Sequence, residues 1–303
     1  MKSHDSGRWY VAIAAAVLHG GLAAGSLRSA DEKPSPAGPK VRLDVTDAAR
    51  LDVRAFWEQV TESEFNFHRT WDELRDFRPA RGVATYGGAD FRALLPPGPV
   101  AVGQLWELNG EGLLKFLRQI HPGATLKLHL NNGDSRGGGY GCLRACDDRW
   151  ADVVFRAHAE FVLRGGYFTP GQFAGRLVLD RSSGTVAFFR LHLPPAPVNF
   201  DVGRRVTVGF KVGDKEVQEV RHATDAGSVP RLELTGGDEG ALRAVERAPG
   251  RAMEEVTAAF ARRFYQFKAI DWVDFDEAVA AARRSGKPLN VIALNGTLDD
   301  ESC

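Results

Sequence analysis

The stretch Gly175–Leu193 reads GRLVLDRSSGTVAFFRLHL and says most about the fold. Within it, two β-prone runs, Gly175–Asp180 and Thr185–Leu193, flank the polar segment Arg181-Ser182-Ser183-Gly184. A short polar loop that ends in glycine between two such runs is typical of an antiparallel hairpin. The stretch therefore predicts two neighbouring antiparallel strands.

Similar runs lie on both sides of this hairpin. Thr125–Leu130 and Val154–Leu163 alternate apolar with polar residues, and Val206–Val212 and Arg231–Leu234 are further β-prone runs. Short runs at this spacing are typical of an antiparallel sandwich or barrel. We therefore predict a β-rich antiparallel domain over residues 85–240.

Helical periodicity replaces this pattern in two places before residue 240. Apolar residues between Val41 and Phe77 recur with roughly helical spacing, which predicts a pair of short amphipathic helices and a helical N-terminal region over residues 41–84. Leu113–Ile120 carries a second helical stripe and is followed by His121-Pro122-Gly123. Proline and glycine just beyond a stripe are typical of a helix end, so a helix is expected there.

The last part of the chain changes to an α/β pattern. Helical stripes cover Ala241–Val245, Ala252–Phe267 and Asp274–Ser285. The run Leu289–Leu294 that follows is almost continuously apolar, as a central parallel strand should be, and a polar loop then leads to Cys303. This order is typical of the opening of a thioredoxin-like domain. We therefore predict an α+β protein, with a β-rich domain followed by the first part of a truncated thioredoxin-like α/β domain over residues 241–303.

The N-terminal residues are typical of an export signal. Lys2 and Arg8 precede the apolar stretch Trp9–Ala24, and small residues surround Gly25. Residues 1–25 are therefore predicted to be a signal peptide. A short membrane anchor is the alternative, which is less favoured because the apolar stretch is shorter than the about 20 residues that span a bilayer. The proline-rich residues 26–40 are expected to form a spacer. The mature chain should be secreted, periplasmic or lumenal.

Charge and cysteine content exclude several classes of protein. Lys plus Arg and Asp plus Glu both number 39, so the chain lacks the basic footprint of a nucleic-acid-binding protein. The three cysteines, Cys142, Cys146 and Cys303, have no paired spacing typical of a zinc site. Cys142 and Cys146 are interpreted as a structural disulfide or as two unrelated thiols.

The remaining candidate site residues do not predict a bound metal or cofactor. His129, His158 and His192 lie on predicted strands, where paired or solvent-facing histidines are expected in preference to a metal triad. Gly137-Gly138-Gly139 lacks the Lys-Ser/Thr pair of a phosphate-binding loop and is expected to be a flexible loop. No metal site is therefore predicted.

The end of the chain resembles a known family. Gly296–Cys303, GTLDDESC, resembles the segment of the selenoprotein N family in which Ser-Cys is followed by selenocysteine and glycine. Other segments resemble the same family, in the family's order: Phe155–Phe161, Pro170–Gly175, Phe189–Leu191 and Phe264–Lys268. The similarity extends over about residues 150–303. It implies that the chain ends at Cys303 because a selenocysteine codon was read as a stop.

The resemblance implies an exported selenol/thiol-disulfide oxidoreductase that acts on a disulfide- or peroxide-bearing substrate, expected to be a protein. Cys303 would be the resolving thiol, with Ser302 and Asp300 as its motif neighbours and the implied selenocysteine as its partner. Asp299, Asp300 and Glu301 should raise the pKa of a neighbouring thiol by like charge, which suits the resolving role. The chain without its selenocysteine is expected to be redox-inactive.

Two expectations limit this interpretation. Animal members of the family carry a calcium-binding EF-hand, whereas no D-x-[DN]-x-[DN]-G loop with the required glutamate occurs here, so the sequence does not support a calcium site. The alternative function is a noncatalytic extracytoplasmic binding or scaffold protein in which the β-rich domain is the working part. Membrane association remains compatible with either function, whereas nucleic acid is not an expected partner.

Overall fold

The computed structural model describes residues 37–129, 138–212, 215–265 and 275–286. The chain divides into two compact units. The described part of the larger unit runs up to Phe260, and that of the smaller unit comprises residues 261–265 and 275–286. Nearly all described strands and helices therefore belong to the larger unit.

Fifteen strands and seven helices form the described structure. The strands are β1 Ala37–Val41, β2 Arg50–Trp57, β3 Val83–Gly87, β4 Val100–Val102, β5 Leu105–Glu107, β6 Ala124–Thr125, β7 Gly138–Cys146, β8 Trp150–His158, β9 Glu160–Leu163, β10 Gly166–Pro170, β11 Phe173–Asp180, β12 Thr185–His192, β13 Phe200–Val212, β14 Lys215–Gly227 and β15 Leu232–Gly237. The helices are α1 Phe67–Thr70, α2 Asp72–Arg75, α3 Gly88–Arg92, α4 Gly110–Ile120, α5 Gly240–Val245, α6 Met253–Phe264 and α7 Phe275–Ser285.

Antiparallel pairing joins most of these strands into two sheets. The larger sheet has eight strands in the order β3-β2-β15-β12-β11-β8-β7-β5, and the second has five in the order β14-β13-β10-β9-β6. Strands β1 and β4 form a separate antiparallel pair. The predicted antiparallel β-rich architecture with a few helices is therefore confirmed.

The hairpin predicted at Gly175–Leu193 is confirmed at the centre of the larger sheet. Strands β11 and β12 pair directly, and Gly184 in their connection has a φ of 65°, a conformation that glycine adopts without strain. Alternation gives the hairpin two distinct faces, since Leu177 and Phe189 are fully buried in the main core while Arg176 and Arg190 point to the other side.

The main core contains side chains from both sheets and from helix α4. Phe189 of the larger sheet packs against Phe116 of α4, with ring centroids 4.9 Å apart, and Phe168 packs against Phe200 within the second sheet at 5.2 Å. These phenylalanines are fully buried. Helix α4 confirms the helix predicted at Leu113–Ile120, and the side chain of Asn109 caps its start by accepting from the Gly112 amide at 2.8 Å.

Helices α5 and α6 cover the opposite face of the larger sheet. Val178 and Phe188 pack with Val245 of α5, whereas Val154 packs with Phe260 of α6. Central strands of this sheet are thus buried on both faces, although they are antiparallel. The helices predicted at Ala241–Val245, Ala252–Phe267 and Asp274–Ser285 are also confirmed, within the part of each that is described.

The helical interpretation of residues 41–77 is wrong. Arg50–Trp57 forms strand β2 of the larger sheet, and only two one-turn helices, α1 and α2, occur in this segment. In RLDVRAFW the apolar Leu51, Val53 and Ala55 alternate with charged residues, so the segment has the two-residue period of a strand. The bulky aromatic residues that follow at irregular spacing hid this period.

Two further strands also differ from the prediction. Val154–Leu163 was expected to be one strand, but a break at Ala159 separates β8 of the larger sheet from β9 of the second. Of Thr125–Leu130, only Thr125 lies in a strand, the two-residue β6, and Leu130 falls outside the described residues. The chain therefore crosses between sheets where one continuous strand was expected.

Gly138 and Gly139 belong to strand β7, so a flexible loop is the wrong interpretation for these two residues. A Cβ atom at Gly139 would lie 2.7 Å from Leu108 Cδ1 and 2.9 Å from the Arg156 carbonyl oxygen, so close packing of neighbouring strands requires glycine there. Gly137 lies outside the described residues.

The predicted strand Leu289–Leu294 lies outside the described residues, as do residues 1–36, so the thioredoxin-like domain and the signal peptide stay predictions. In the described part of the chain, Gly286 follows α7 with a φ of 66°, the left-handed conformation expected after a helix end. None of the helices within the described ranges is long and apolar enough to cross a membrane.

Candidate functional site

The predicted redox residues Cys303, Ser302 and Asp300 lie outside the described residues. The described structure therefore does not test the redox prediction. The described part of the chain contains the two other cysteines and several polar clusters. These are the candidate functional groups of the β-rich domain.

Cys142 and Cys146 are both free cysteines on strand β7. A bulge between Leu143 and Ala145 changes the alternation of the strand, so that Cys142 packs under α6 whereas Cys146 packs against the main core. Four residues along a strand span about 13 Å, which is too far for a disulfide. The structure thus favours two unrelated thiols over the alternative of a structural disulfide.

Burial makes both thiols poor nucleophiles. It raises the pKa of Cys142 to about 12, and it also raises the pKa of Cys146. Because the thiolate is the reactive form, neither cysteine is suited to thiol-disulfide exchange in the folded protein.

A cavity of about 290 Å³ lies on the outer face of the larger sheet, beneath α5 and the part of α6 up to Phe260. Its floor contains the small residue Ala174 of β11, which is paired with Arg156 of β8 on one side and with His192 of β12 on the other. Two residues further along β11, on the same face of the sheet, Arg176 is paired directly with Arg190 of β12. Three arginines and a histidine therefore surround one small side chain.

Buried or half-buried carboxylates hold two of these arginines in place. Arg176 donates from Nε to Asp152 Oδ1 at 3.0 Å and from Nη2 to Asp152 Oδ2 at 3.1 Å. Arg190 donates from Nε and Nη2 to Glu233 Oε2, at 2.9 and 2.7 Å. The Asp152 contact is bidentate, whereas both Arg190 donors share one Glu233 oxygen, and each arrangement positions its guanidinium before any ligand arrives.

The other side of the cavity is apolar. It is formed by Phe188 of the sheet, Leu242 of α5, and Met253 and Phe260 of α6. Beside it, burial and the nearby Arg190 together lower the pKa of His192 to about 4, so this imidazole is neutral at pH 7. The cavity thus combines cationic and apolar walls.

A second polar cluster lies in the five-stranded sheet. Nδ1 of His129 lies 2.7 Å from Glu160 Oε2, its backbone amide donates to the same oxygen at 2.8 Å, and its ring stacks on Tyr167 at a centroid distance of 3.5 Å. Asp201 Oδ2 lies 3.6 Å from His129 Nε2. Burial and the nearby Glu160 raise the pKa of Asp201 to about 7.

Ser63, His68 and Asp225 contain the residue types of a hydrolase triad but are connected differently. The Ser63 hydroxyl donates to Asp225 Oδ2 at 2.7 Å and lies 2.7 Å from His68 Nδ1, so serine bridges histidine and aspartate. In a triad the histidine stands between the other two. Asp225 also accepts from the Phe65 and Phe67 amides at 2.7 Å, which identifies the cluster as a structural anchor for α1.

The three histidines named from sequence lie in three separate environments. His129 pairs with Glu160, and His158 accepts from Arg156 Nε at 3.0 Å, whereas His192 lines the cavity. Burial lowers the pKa of His158 to about 3. Within the described ranges no group of three or more His, Cys, Asp or Glu side chains is arranged to hold a metal ion.

Sequence reasoning missed the cavity, although a signal existed. Arg156, Arg176 and Arg190 occupy alternate positions in three runs whose intervening residues are buried phenylalanine, glycine and leucine. Arginine on strands that are also followed by amphipathic helices indicates a polar site under those helices. Only the pairing register shows that the three arginines meet.

Three curated proteins are similar to this chain. Selenoprotein N of Danio rerio is 27% identical, over 81% of this chain and 53% of that protein. Selenoprotein N of Mus musculus is 27% identical, over 73% of the chain and 47% of that protein. Selenoprotein N of Homo sapiens is 26% identical, over 62% and 35% respectively. The chain thus spans about half the length of these relatives or less.

No protein-family model matches the chain, and no solved structure matches it. The three selenoprotein N similarities agree with the family that the motifs between Phe155 and Cys303 predict. The chain is therefore selenoprotein N-like, and the resemblance seen in its sequence is confirmed.

Proposed function

We propose that this chain is part of an exported selenol/thiol-disulfide oxidoreductase whose redox centre contains Cys303. The observation that carries the proposal is the segment Gly296–Cys303, which resembles the selenocysteine-preceding segment of selenoprotein N in a chain with similarity to three selenoprotein N relatives. The predicted thioredoxin-like part of the chain, which contains Leu289–Leu294 and Cys303, would carry this centre.

The proposed exchange conserves atoms and electrons. A selenolate following Cys303 attacks one sulfur of a substrate disulfide, and the other substrate sulfur leaves as a thiolate. The Cys303 thiolate then attacks selenium, which releases the second substrate sulfur and leaves a sulfur–selenium bond between the neighbouring residues. Two electrons have then passed from the pair to the substrate, and a dithiol reductant returns them.

Adjacent positions make that bond easy to reduce. The Cα atoms of neighbouring residues are about 3.8 Å apart, whereas unstrained disulfides prefer about 4.4 Å or more. The three acidic residues Asp299, Asp300 and Glu301 disfavour a thiolate at Cys303 by like charge, which suits it to the resolving step. The selenolate is therefore the proposed attacking group.

A turnover comparison tests this proposal in the protein that includes the residues beyond Cys303. Cys303→Ser should abolish disulfide reduction with a dithiol reductant, whereas Cys142→Ser should retain it because the Cys142 thiol is buried and protonated. Unchanged turnover in Cys303→Ser would refute the role of Cys303. Equal loss in both variants would indicate that the β-rich domain had been damaged.

A noncatalytic extracytoplasmic binding protein is the second candidate function, and the preformed cavity above β8, β11 and β12 favours it. The coding sequence distinguishes the two. An in-frame UGA directly after the Cys303 codon, followed by a glycine codon and further α/β pattern, supports the oxidoreductase. A UAA or UAG codon there supports the binding protein.

A further inference from the structure

The cavity above Ala174 has the features of a built ligand site, and none of its residues is used in the proposed redox chemistry. We propose that it binds a small organic monoanion, with a carboxylate held by Arg176 and Arg190 and an apolar body held beneath α6. Medium-chain carboxylates are the simplest ligands of this class. This site goes beyond the proposed oxidoreductase function and does not depend on it.

Two like charges lie side by side at the proposed site. Arg176 and Arg190 are directly paired on neighbouring strands, a position at which two cations destabilise a sheet unless anions compensate them. Asp152 and Glu233 supply part of that compensation from positions on β8 and β15. A bound carboxylate between the two guanidiniums would supply more of it.

Positive charge exceeds negative charge around these two arginines. Asp152 accepts from Arg144 as well as Arg176, and Glu233 accepts from Arg231 as well as Arg190, so each carboxylate serves two arginines. In the described part of the chain, the only further carboxylate that pairs with any of these four arginines is Glu246, whose Oε1 lies 3.9 Å from Arg176 Nη1. Its side chain is 60% exposed, so solvent screens this contact. An anion in the cavity would find net positive charge.

Arg190 keeps a donor that its partner does not use. Its hydrogen bonds to Glu233 use Nε and Nη2, so among the described residues Nη1 is left for another acceptor. Within the described ranges Nδ1 of His192 is buried and has no hydrogen-bond partner. The imidazole of His192 is neutral and lines the cavity without adding charge.

The cavity also has a suitable size and polarity for a small organic anion. Its volume of about 290 Å³ lies just below the usual range for ligand sites, about 300–1,000 Å³. Phe188, Leu242, Met253 and Phe260 give one half of the cavity an apolar wall. A bare inorganic anion would leave that wall wet, whereas a neutral apolar molecule would leave the arginines without an anion.

Calorimetric titration of the whole chain with three probes tests the proposal. Octanoate should bind, whereas octan-1-ol, which lacks the charge, and inorganic phosphate, which lacks the apolar body, should each bind at least tenfold more weakly. Absence of octanoate binding at millimolar concentration would overturn the proposal. Equal affinity for octanol or for phosphate would also overturn it, since one half of the site would then be irrelevant.

The chain offers a matched pair of variants. Arg190→Gln and Arg231→Gln each remove one of the two arginines that pair with Glu233, but only Arg190 lines the cavity. Arg190→Gln should weaken octanoate binding at least tenfold, and Arg231→Gln should change it less than twofold. Equal losses would show a structural effect through Glu233 and would overturn the assignment of Arg190.

A third variant fills the cavity without changing its charge. Ala174→Leu places a larger side chain on the floor between Arg156 and His192 and should abolish octanoate binding. Circular dichroism and thermal unfolding would establish that the variant is folded. Unchanged binding by the folded variant would overturn the location. Because none of these tests uses Cys303, their failure would leave the oxidoreductase proposal unaffected.

Discussion

Arg176 binds Asp152 through two parallel hydrogen bonds of 3.0 and 3.1 Å, and this aspartate is completely buried. Arg144 Nε donates to the same carboxylate from strand β7. One buried negative charge thus joins three neighbouring strands, β7, β8 and β11, under the layer formed by α5 and α6. The same contact orients an arginine that lines the cavity, so stability and the proposed binding site share this pair.

Removing the charge of Asp152 should destabilise the protein strongly. Asp152→Asn leaves Arg144 and Arg176 without their carboxylate in a buried region, and breaking such a pair from one side costs about 3–5 kcal/mol. Urea unfolding should measure a loss of that order in the free energy of unfolding. Glu219→Gln, which breaks the exposed pair with Arg221, is the control and should cost about 0.5 kcal/mol or less.

A methyl group at Gly175 should not fit in the sheet. Its Cβ would lie 2.0 Å from Phe155 Cε2 and 2.1 Å from Cζ, and this ring is buried in the main core. Gly175→Ala should therefore lower the free energy of unfolding by about 1–3 kcal/mol, as overpacking does. Gly82→Ala is the matched control because nothing lies within 4 Å of its Cβ position. Equal stability of the two variants would contradict this packing.

Thiol labelling should distinguish two free cysteines from a disulfide. In a Cys303→Ser background, a thiol reagent at pH 8 should react slowly with the folded protein, because burial raises the pKa of both Cys142 and Cys146. Unfolding in urea without reductant should then release two reactive thiols. If no thiol is released until a reductant is added, the two cysteines are bridged and the free-thiol structure is wrong.

Asp201 should make stability depend on pH. Its pKa is raised to about 7 in the folded protein, against about 3.9 in the unfolded chain, so the folded state binds more protons between these values. The contribution of Asp201 to stability should therefore fall as pH rises from about 4 to 7, and Asp201→Asn should remove this fall, which is on the order of 1–3 kcal/mol. Thermal unfolding across this range measures it.

Asp148→Asn serves as the control for this pH dependence, since Asp148 is exposed at the turn before β8. It should follow the wild-type curve. If Asp201→Asn follows the wild-type curve as well, the carboxyl group of Asp201 does not stay protonated in the folded protein up to a pH of about 7.

Local pattern was enough to predict elements whose neighbours lie close in sequence. The hairpin at Gly175–Leu193 and the helix at Leu113–Ile120 each carry their period and their end signal within a few residues. Strand β2 was missed because irregularly spaced aromatic residues beyond its alternating core suggested a helix. Strand β7 was missed because its glycines indicate a loop until the close approach of β8 is known.

The cavity could not be predicted from any single run of residues. Arg176 and Arg190 are fourteen positions apart, and only the register of β11 and β12 places them side by side. Likewise, the charge balance depends on Glu233, which reaches Arg190 from strand β15. By contrast, Gly296–Cys303 was recognisable without any structure because its residues are contiguous.

The most direct test of the proposed redox pair is mass spectrometry of the protein isolated from its natural source after alkylation. The peptide containing Ser302-Cys303 should continue into an alkylated residue with the isotope pattern of selenium, followed by glycine. A peptide that ends at Cys303, or that continues into any residue other than selenocysteine, would contradict the selenol/thiol pair.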